Sequence, residues 1–427
     1  MFGDDLRLGR AILHCDLNNF YASVACHDNP NLCGHPVAVC GNVEERHGII
    51  LAKNYLAKNF NVRTAETVWQ AKQKCPTLIL VPPDFERYLY FSKNARAIYE
   101  RYTDQIEPFG IDECWLDVTG SRRLFGDEIV IANAIKNQIK TELGLTISVG
   151  VSFNKIFAKI GSDLKKPDAV SIISPESFKK IVWPLDVSVM IGIGRATERQ
   201  LHELGIFTIG DLAMSNFQSL KFRLGKSGVA LWHFANGLDN SVVAQSDSTP
   251  IPKSIGRSVT CPRDLCANSD VWPVLLRLGE DVAQNLRKNK LEAGSIQISL
   301  RTCDLETSEF QSPLAHPTAL TKIIAESGMK LFSQSYTWEK PLRLVGIRAI
   351  NLQPACLQYQ FCMFDDYRQE LKLEKIDNSI DALRERFGAN IICRASLLHN
   401  KTADFELSKS APDTLGHVSK LMSNKSY

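Results

Sequence analysis

The stretch Ile106–Gly120, IEPFGIDECWLDVTG, sets Asp112 and Glu113 side by side between apolar residues, with Phe109 and Ile111 before them and Trp115 and Leu116 after. Two carboxylates desolvated together repel, and at least one pKa rises unless a cation compensates. The pair therefore implies either a bound metal or a solvated turn. Alone it reads equally well as the acidic tip of a surface hairpin. A second segment shifts the balance. In residues 11–21, AILHCDLNNFY, the apolar run Ala11-Ile12-Leu13 leads into Asp16, the pattern of a buried strand ending at an acid. A strand-end acid and a hairpin pair supply three oxygen ligands from distant segments, which suits Mg²⁺ or Mn²⁺ rather than Zn²⁺. Two-metal phosphoryl-transfer sites share carboxylates between ions about 3.5–4 Å apart. Strand alternation puts His14 on the face of Asp16, where a packed imidazole is the plainer reading than a catalytic one.

The chain has 427 residues, enough for roughly two to four domains. Hydrophobic residues make up 44% and charged residues 23%, the balance of an ordinary water-soluble protein. A net charge of +3 permits a nucleic-acid partner without demanding one. The opening MFGDDLRLGR carries acids and no apolar core, so no signal peptide is expected. No apolar run reaches the length of a membrane span. The twelve cysteines include no CxxC pair, and Cys261 and Cys266 have no second ligand pair near them. All twelve read as free thiols in a reducing cytoplasm.

Along the chain, strands are expected at residues 11–17, 36–41, 78–83 and 146–152, and a strand passing into a helix at 48–60. Helices are expected from Phe20-Tyr21 to about His27, at 67–75, and near 127–143. Residues 84–104 read as one long amphipathic helix with Phe85, Tyr88, Leu89, Ile98 and Tyr102 in the core. Residues 153–166 read as a helix bearing Lys155, Lys159, Lys165 and Lys166, with Lys159 a plain surface charge. Acids on a hairpin and a distant strand favour α+β with a mixed or antiparallel sheet over a doubly wound fold. Gly225-Lys226-Ser227 imitates a P-loop, but position 220 is Leu and no strand precedes it, so that reading is rejected. Short helices follow over 174–240, and the polar, proline-bearing stretch 241–253 reads as a linker. Residues 295–304 and 342–352 alternate like strands carrying Arg301, Arg343 and Arg348, with helices near 270–290 and 318–333 over one face.

Five segments in order, DLNNFYASV, LAKNYLAKNF, GIDECWLDVTG, VGVSFNKIFAKIGSDLKKPDA and IGIGRATERQLHELGI, resemble the Y-family translesion DNA polymerases of the bacterial DNA polymerase IV type. The resemblance spans about residues 10–395. It implies an α+β multidomain right hand. Residues 1–26 and 84–173 would form the palm, 27–83 small fingers, and 174–240 a helical thumb with a helix-hairpin-helix. The linker 241–253 would lead to a C-terminal α/β little finger at 254–352 and a tail at 353–427 with a helix near 370–387.

The same resemblance assigns the chemistry. Asp16, Asp112 and Glu113 would hold two Mg²⁺ ions (Mn²⁺ serving as well), with the Leu17 carbonyl as a further ligand. Tyr21 matches the steric gate under the sugar of the incoming dNTP; its other reading is a core tyrosine. Tyr55, Lys58 and Lys166 would take the triphosphate, Lys58 standing where the family has an arginine and so binding as a point charge, with Lys53 in reserve. Gly192, Gly194 and Arg195 in the helix-hairpin-helix, and Lys253 and Arg257 at the start of the little finger, would hold the phosphates of primer-template DNA. Gln360, Phe361, Met363 and Phe364 resemble the peptide that binds the bacterial sliding clamp (the beta clamp); the other reading is a short packed strand. The expectation is a cytoplasmic, monomeric DNA-directed DNA polymerase for error-prone translesion synthesis, without proofreading. A nucleotide cyclase with a similar palm, or a non-catalytic DNA-binding scaffold, are the alternatives; primer extension separates them.

Overall fold

A computed structural model describes residues 9–42, 48–247, 251–355, 367–388 and 391–397. The chain divides into two compact units, the first running to Ser248 and the second starting at Thr249.

The first unit is built on a five-stranded sheet ordered β5-β6-β1-β7-β8. Its elements in chain order are β1 (Ile12–Leu17), α1 (Phe20–Asp28), β2 (Val37–Cys40), β3 (Ile50–Lys53), α2 (Tyr55–Asn59), α3 (Val68–Lys74), β4 (Ile79–Val81) and α4 (Phe85–Tyr99). Then come β5 (Ile106–Pro108), β6 (Glu113–Asp117), α5 (Arg122–Phe125), α6 (Glu128–Leu143), β7 (Ile147–Ser152), α7 (Lys155–Leu164) and β8 (Val170–Ile173). Four helices close it: α8 (Phe178–Val182), α9 (Arg195–Glu203), α10 (Ile209–Met214) and α11 (Phe217–Ala235). Strand β1 is central, antiparallel to both β6 and β7, and buried at every residue. Its odd-numbered side chains Leu13, Cys15 and Leu17 join the core with α4 and α6, while Ile12 joins Trp115 and α7 on the other face. His14 and Asp16 share the parity of Ile12 and so face α7.

Helix α7 lies against β7 backbone to backbone. A Cβ on Gly150 would fall 1.9 Å from the Ala158 carbonyl oxygen and 2.4 Å from the Ser162 nitrogen, and one on Gly161 would meet Gly150 Cα at 3.0 Å. No residue but glycine fits at Gly150, and a side chain at Gly161 would press on the Gly150 backbone. A smaller sheet, β3-β2-β4, carries α2 and α3 over a core of Ala38, Cys40, Ile50, Ala57, Val68 and Ala71.

Two expectations for this unit change. The helix expected over 84–104 ends at Tyr99, Thr103 turning to donate to the Asp117 carbonyl, and Leu89 is exposed while Phe91 and Ala95 fill the core. The start of the expected linker is strapped down. Ser241 accepts from Arg10, the Ala244 amide donates to Glu107 Oε2 at 3.0 Å, the Ser246 amide donates to the Asp104 carbonyl, and Val243 is buried.

The second unit holds β9 (Ser254–Leu265), α12 (Asn268–Lys288), β10 (Leu291–Thr302), β11 (Thr307–Thr318), α13 (Thr321–Ser335), β12 (Leu342–Pro354) and α14 (Tyr367–Phe387). Its antiparallel sheet is ordered β11-β10-β12-β9, with α12 and α13 covering one face. Strands β9 and β11 were not expected at this length; β11 is mostly exposed and carries Pro313 and Pro317, so it lacks an apolar signature. Helix α14, expected within the C-terminal tail, clusters with this unit. It buries Asp377 and Arg384 in a charge cluster with Glu280, Arg287 and Arg394. Among the described residues all ten cysteines are free thiols, and no helix is long and apolar enough to cross a membrane.

Candidate active site

The antiparallel register sets Asp16 directly opposite Glu113 on adjacent strands. Asp112, one residue earlier, lies in the turn between β5 and β6, and its carbonyl accepts from the Leu17 amide at 3.1 Å. The turn is closed by the Phe109 amide donating to the Glu113 carbonyl at 2.8 Å and by Arg96 reaching the Gly110 carbonyl. Pairing thus delivers the three acids expected from sequence to one end of the central strands.

Their charges are only partly answered. Lys159 Nζ of α7 lies 2.6 Å from Glu113 Oε2, and Lys166 Nζ, just past α7, lies 2.7 Å from Asp16 Oδ2 and 2.8 Å from Asp163 Oδ1. Burial pushes the Asp112 carboxyl up to about 7, with the charges of Glu113 and Asp16 adding to it. Asp16 is also raised, by burial first and Glu113 second, against the pull of Lys166. Burial would raise Glu113 too, but hydrogen bonds and charge from His14 and Lys159 outweigh it and hold this carboxyl low. Burial weakens the proton affinity of Lys166, yet its contacts with Asp16 and Asp163 prevail and raise it.

His14 is fully buried behind the acids. Its Nδ1 is 2.8 Å from Ser162 Oγ and its Nε2 3.3 Å from Glu113 Oε2, and its ring stands edge-on to Trp115. Burial, then the Lys159 charge, lowers its pKa to about 4, so it is a neutral packed imidazole at pH 7. Sequence reading missed Lys159, taken as a surface charge. The signal was available: Lys155, Lys159 and Ser162 share one face of α7 by i, i+4 and i+7 spacing. Lys155 is buried as well, paired with Glu107 at 2.7 Å over the Trp115 ring.

Among the described residues no three His, Cys, Asp or Glu side chains are disposed to hold one ion. The reason is visible: Glu113 and Asp16 are turned onto ammonium groups. The donor set still fits hard divalent cations, since three carboxylates face two lysines and Asp112 is left with its charge unmatched.

Tyr21 on α1 stacks on Tyr88 at 4.1 Å, with Phe85 edge-on at 6.0 Å. Burial, then the Asp112 charge, pushes its hydroxyl up to about 12. Tyr55, whose hydroxyl is raised by burial, lies within the fields of Lys166 and Asp16. Lys58 is exposed and stands 5.8 Å over the Tyr55 ring. Lys53 donates to Thr64, and burial and the Lys58 charge lower its pKa. The acids, Lys166, Tyr21 and Tyr55 therefore come together, with Lys58 and Lys53 alongside.

The remaining residues lie elsewhere. Gly192 has φ +90°, and Gly194 caps α9 without a side-chain bond, leaving first-turn amides of a helix beginning at Arg195 for an anion. In the second unit Arg257 departs from its expected role. It shares the β9 face of Ile255 and Val259, turned to the helices, where its charge acts on Asp281. The open face carries exposed Arg348 and Arg301 instead; Arg348 lies over Gly256, whose Cβ would meet it at 2.9 Å. Lys253 is exposed at the start of this unit. Gln360, Phe361, Met363 and Phe364 lie outside the described residues.

A family model described as the impB/mucB/samB family matches residues 15–163, that of its C-terminal domain matches 252–359, and one described as the DNA polymerase-iota thumb domain matches 190–239. DNA polymerase IV of Acetivibrio thermocellus is 49% identical over 392 residues, 92% of this chain and 98% of that protein. DNA polymerase IV 2 of Bacillus subtilis is 36% identical over 405 residues, 93% of this chain and 97% of that protein. Among solved structures, the Y-family DNA polymerase chimera Dbh-Dpo4(243-245)-Dbh matches with a TM-score of 0.72 and 26% identity, covering 81% of this chain and 99% of that one.

Proposed function

Because the chain belongs to the impB/mucB/samB family of Y-family DNA polymerases, of the DNA polymerase IV type, we propose that Asp16, Asp112 and Glu113 are the acids that hold its divalent ions. The protein is a DNA-directed DNA polymerase of the translesion class, with a right-hand fold of thumb and little finger. The cyclase and scaffold alternatives are not favoured. Divalent-metal dependence and primer-template binding are general to the family.

The observation that carries the site assignment is the pairing of Asp16 with Glu113 across β1 and β6, with Asp112 docked on the Leu17 amide. Two Mg²⁺ ions would be held by these acids and the Leu17 carbonyl, with Mn²⁺ as a substitute. Such ions would supply a lowered pKa at the primer 3′-OH and would offset charge on the α-phosphate and the leaving pyrophosphate. Lys159 and Lys166 stand in as counter-ions, keeping the acids folded and close. Lys166 then turns to the triphosphate with Tyr55 and Lys58, and Tyr21, braced by Tyr88 and Phe85, clashes with a 2′-OH.

Residues 1–26 and 84–173 act as palm, 27–83 as fingers, 174–240 as thumb and 254–352 as little finger, while the strap at 241–247 ties the thumb end to the palm. The thumb amides around Gly192, Gly194 and Arg195 take DNA phosphates, as do Lys253 and the open-face Arg301 and Arg348. Gln360, Phe361, Met363 and Phe364 dock on the beta clamp. The enzyme works as a cytoplasmic monomer without proofreading.

The test is extension of a primer across a defined template lesion with dNTPs and Mg²⁺. The native chain extends it; Asp112→Ala binds the primer-template yet adds no nucleotide. Near-normal extension by that variant would remove Asp112 from the site.

A further inference from the structure

Asn18 lies two residues after Asp16 and is 2% exposed. Its polar groups make four bonds to three segments. Its Oδ1 accepts from the Asp168 amide at 2.9 Å and its Nδ2 donates to Ser148 Oγ at 3.0 Å. Its amide donates to the Thr146 carbonyl at 2.9 Å, and its own carbonyl accepts from Ser23 Oγ at 2.6 Å.

Asp168 follows Lys166 by two residues, as Asn18 follows Asp16. The end of β1 and the turn after α7 are therefore joined twice in step, Asp16 to Lys166 and Asn18 to Asp168. The two joints differ in kind. The first is an ammonium on a carboxylate, and any stronger anion can claim the ammonium. The second is a neutral bond to a backbone amide inside the protein, with nothing to compete for it. The far side of the turn is anchored as well, by Lys140 Nζ at 2.7 Å from Asp168 Oδ2.

We propose that Asn18 is a positioning residue for the incoming nucleotide: it fixes the backbone of the Lys166 turn, so that the lysine can exchange Asp16 for a triphosphate oxygen by moving its side chain alone. This rests on the reading that Lys166 binds the triphosphate. Removing the carboxamide leaves the Asp168 amide and Ser148 hydroxyl unpaired and frees the turn to follow its lysine.

Single-nucleotide insertion kinetics on a primed template test it in a double-mutant cycle. Asn18→Ala raises KM for dNTP about tenfold with a much smaller change in kcat. Lys166→Ala raises KM at least as far, and the double variant matches Lys166→Ala alone. A double variant whose KM is the product of the two single effects would overturn the inference, as would a loss confined to kcat. A normal KM for Lys166→Ala would instead sink the reading of the lysine, and the inference with it. Thermal midpoints show that each variant folds. Should Asn18→Ala not fold, Ser148→Ala, which removes only the bond orienting the carboxamide, takes its place with a rise of about threefold in KM.

Discussion

Each unit buries a cluster of charges, and the two are balanced by different cations. In the first unit Glu113 and Asp16 meet the ammonium groups of Lys159 and Lys166, with Asp112 a third acid beside them. In the second, Glu280, Asp377 and Asp381 meet the guanidinium groups of Arg277, Arg287, Arg384 and Arg394. Arg287 grips Asp381 with two bonds, at 2.7 and 3.1 Å, and the Thr321 amide supplies another to Asp377 at 2.9 Å. A guanidinium fork matches a carboxylate's shape and stays charged, whereas an ammonium on a flexible stem changes partners readily. The arginine cluster is a rivet that fastens α14 to the helical layer. The lysine cluster is short of positive charge and its counter-ions can leave. On the proposed function, that shortage is what the divalent ions fill.

Exchanging one acid in each cluster separates the roles most sharply. Asp112→Asn lowers nucleotide insertion by about a thousandfold or more and leaves the metal-free thermal midpoint unchanged or higher. Glu280→Gln does the reverse, leaving insertion near normal and costing about 3 kcal/mol of stability by uncovering buried guanidinium charge. Equal destabilisation by both variants, read by chemical denaturation, breaks the comparison.

The pH dependence of the metal-free protein follows. Asp112, at about 7, and Asp16, also raised, hold protons in the folded state that the unfolded chain has released. Their contribution is complete below about pH 4 and is lost as pH rises toward 7, a fall of about 4 kcal/mol from Asp112 with Asp16 adding to it. Glu113, held below its usual value, acts oppositely, stabilising above its ordinary pKa and losing that contribution as acid is added. Urea unfolding with a chelator present should show lower stability at pH 8 than at pH 5, and Asp112→Asn should flatten the difference. A flat native profile would mean that the lysines already balance the acids.

Tyr21→Ala sharpens the picture at the edge of the lysine cluster. Ribonucleotide insertion rises about tenfold relative to deoxyribonucleotide, because only a clash is removed; an unchanged ratio makes the ring packing alone. The smallest effect concerns arginines outside the rivet. Arg348→Ala weakens primer-template binding a few-fold for unrelated sequences and lowers the salt slope by about one. Arg384→Ala leaves that slope alone and lowers the thermal midpoint.

What the sequence discloses depends on how local the cause is. The acid at the end of β1, the hairpin acids and the short elements around them were legible because alternation and turn residues encode them within a few positions. Lys159 and Asn18 were not, because their roles come from the seating of α7 and its following turn, which bring Lys159 to Glu113, 46 residues away, and Asn18 to Asp168, 150 residues away. The strap at 241–247 looked like a linker since its bonds are made by its backbone amides and a carbonyl, which composition does not reveal. Arg257 shares the parity of Ile255 and Val259, and that alternation carries the signal of an inner-face position. The docking of α14 rests on ion pairs, to which hydrophobic patterning is blind.

The contact between Gly150 and Gly161 has a consequence for where the two ammonium groups stand. With no side chain between them, α7 and β7 meet as two bare backbones, and that sets the depth of the helix against the sheet. Lys159 stands two residues from the contact, about 3 Å along the helix axis, so its height above Glu113 is inherited from it. Lys166 lies beyond the end of α7, where the turn is held by Asn18 and Lys140 instead. One ammonium is thereby placed by a helix seat and the other by a bonded turn.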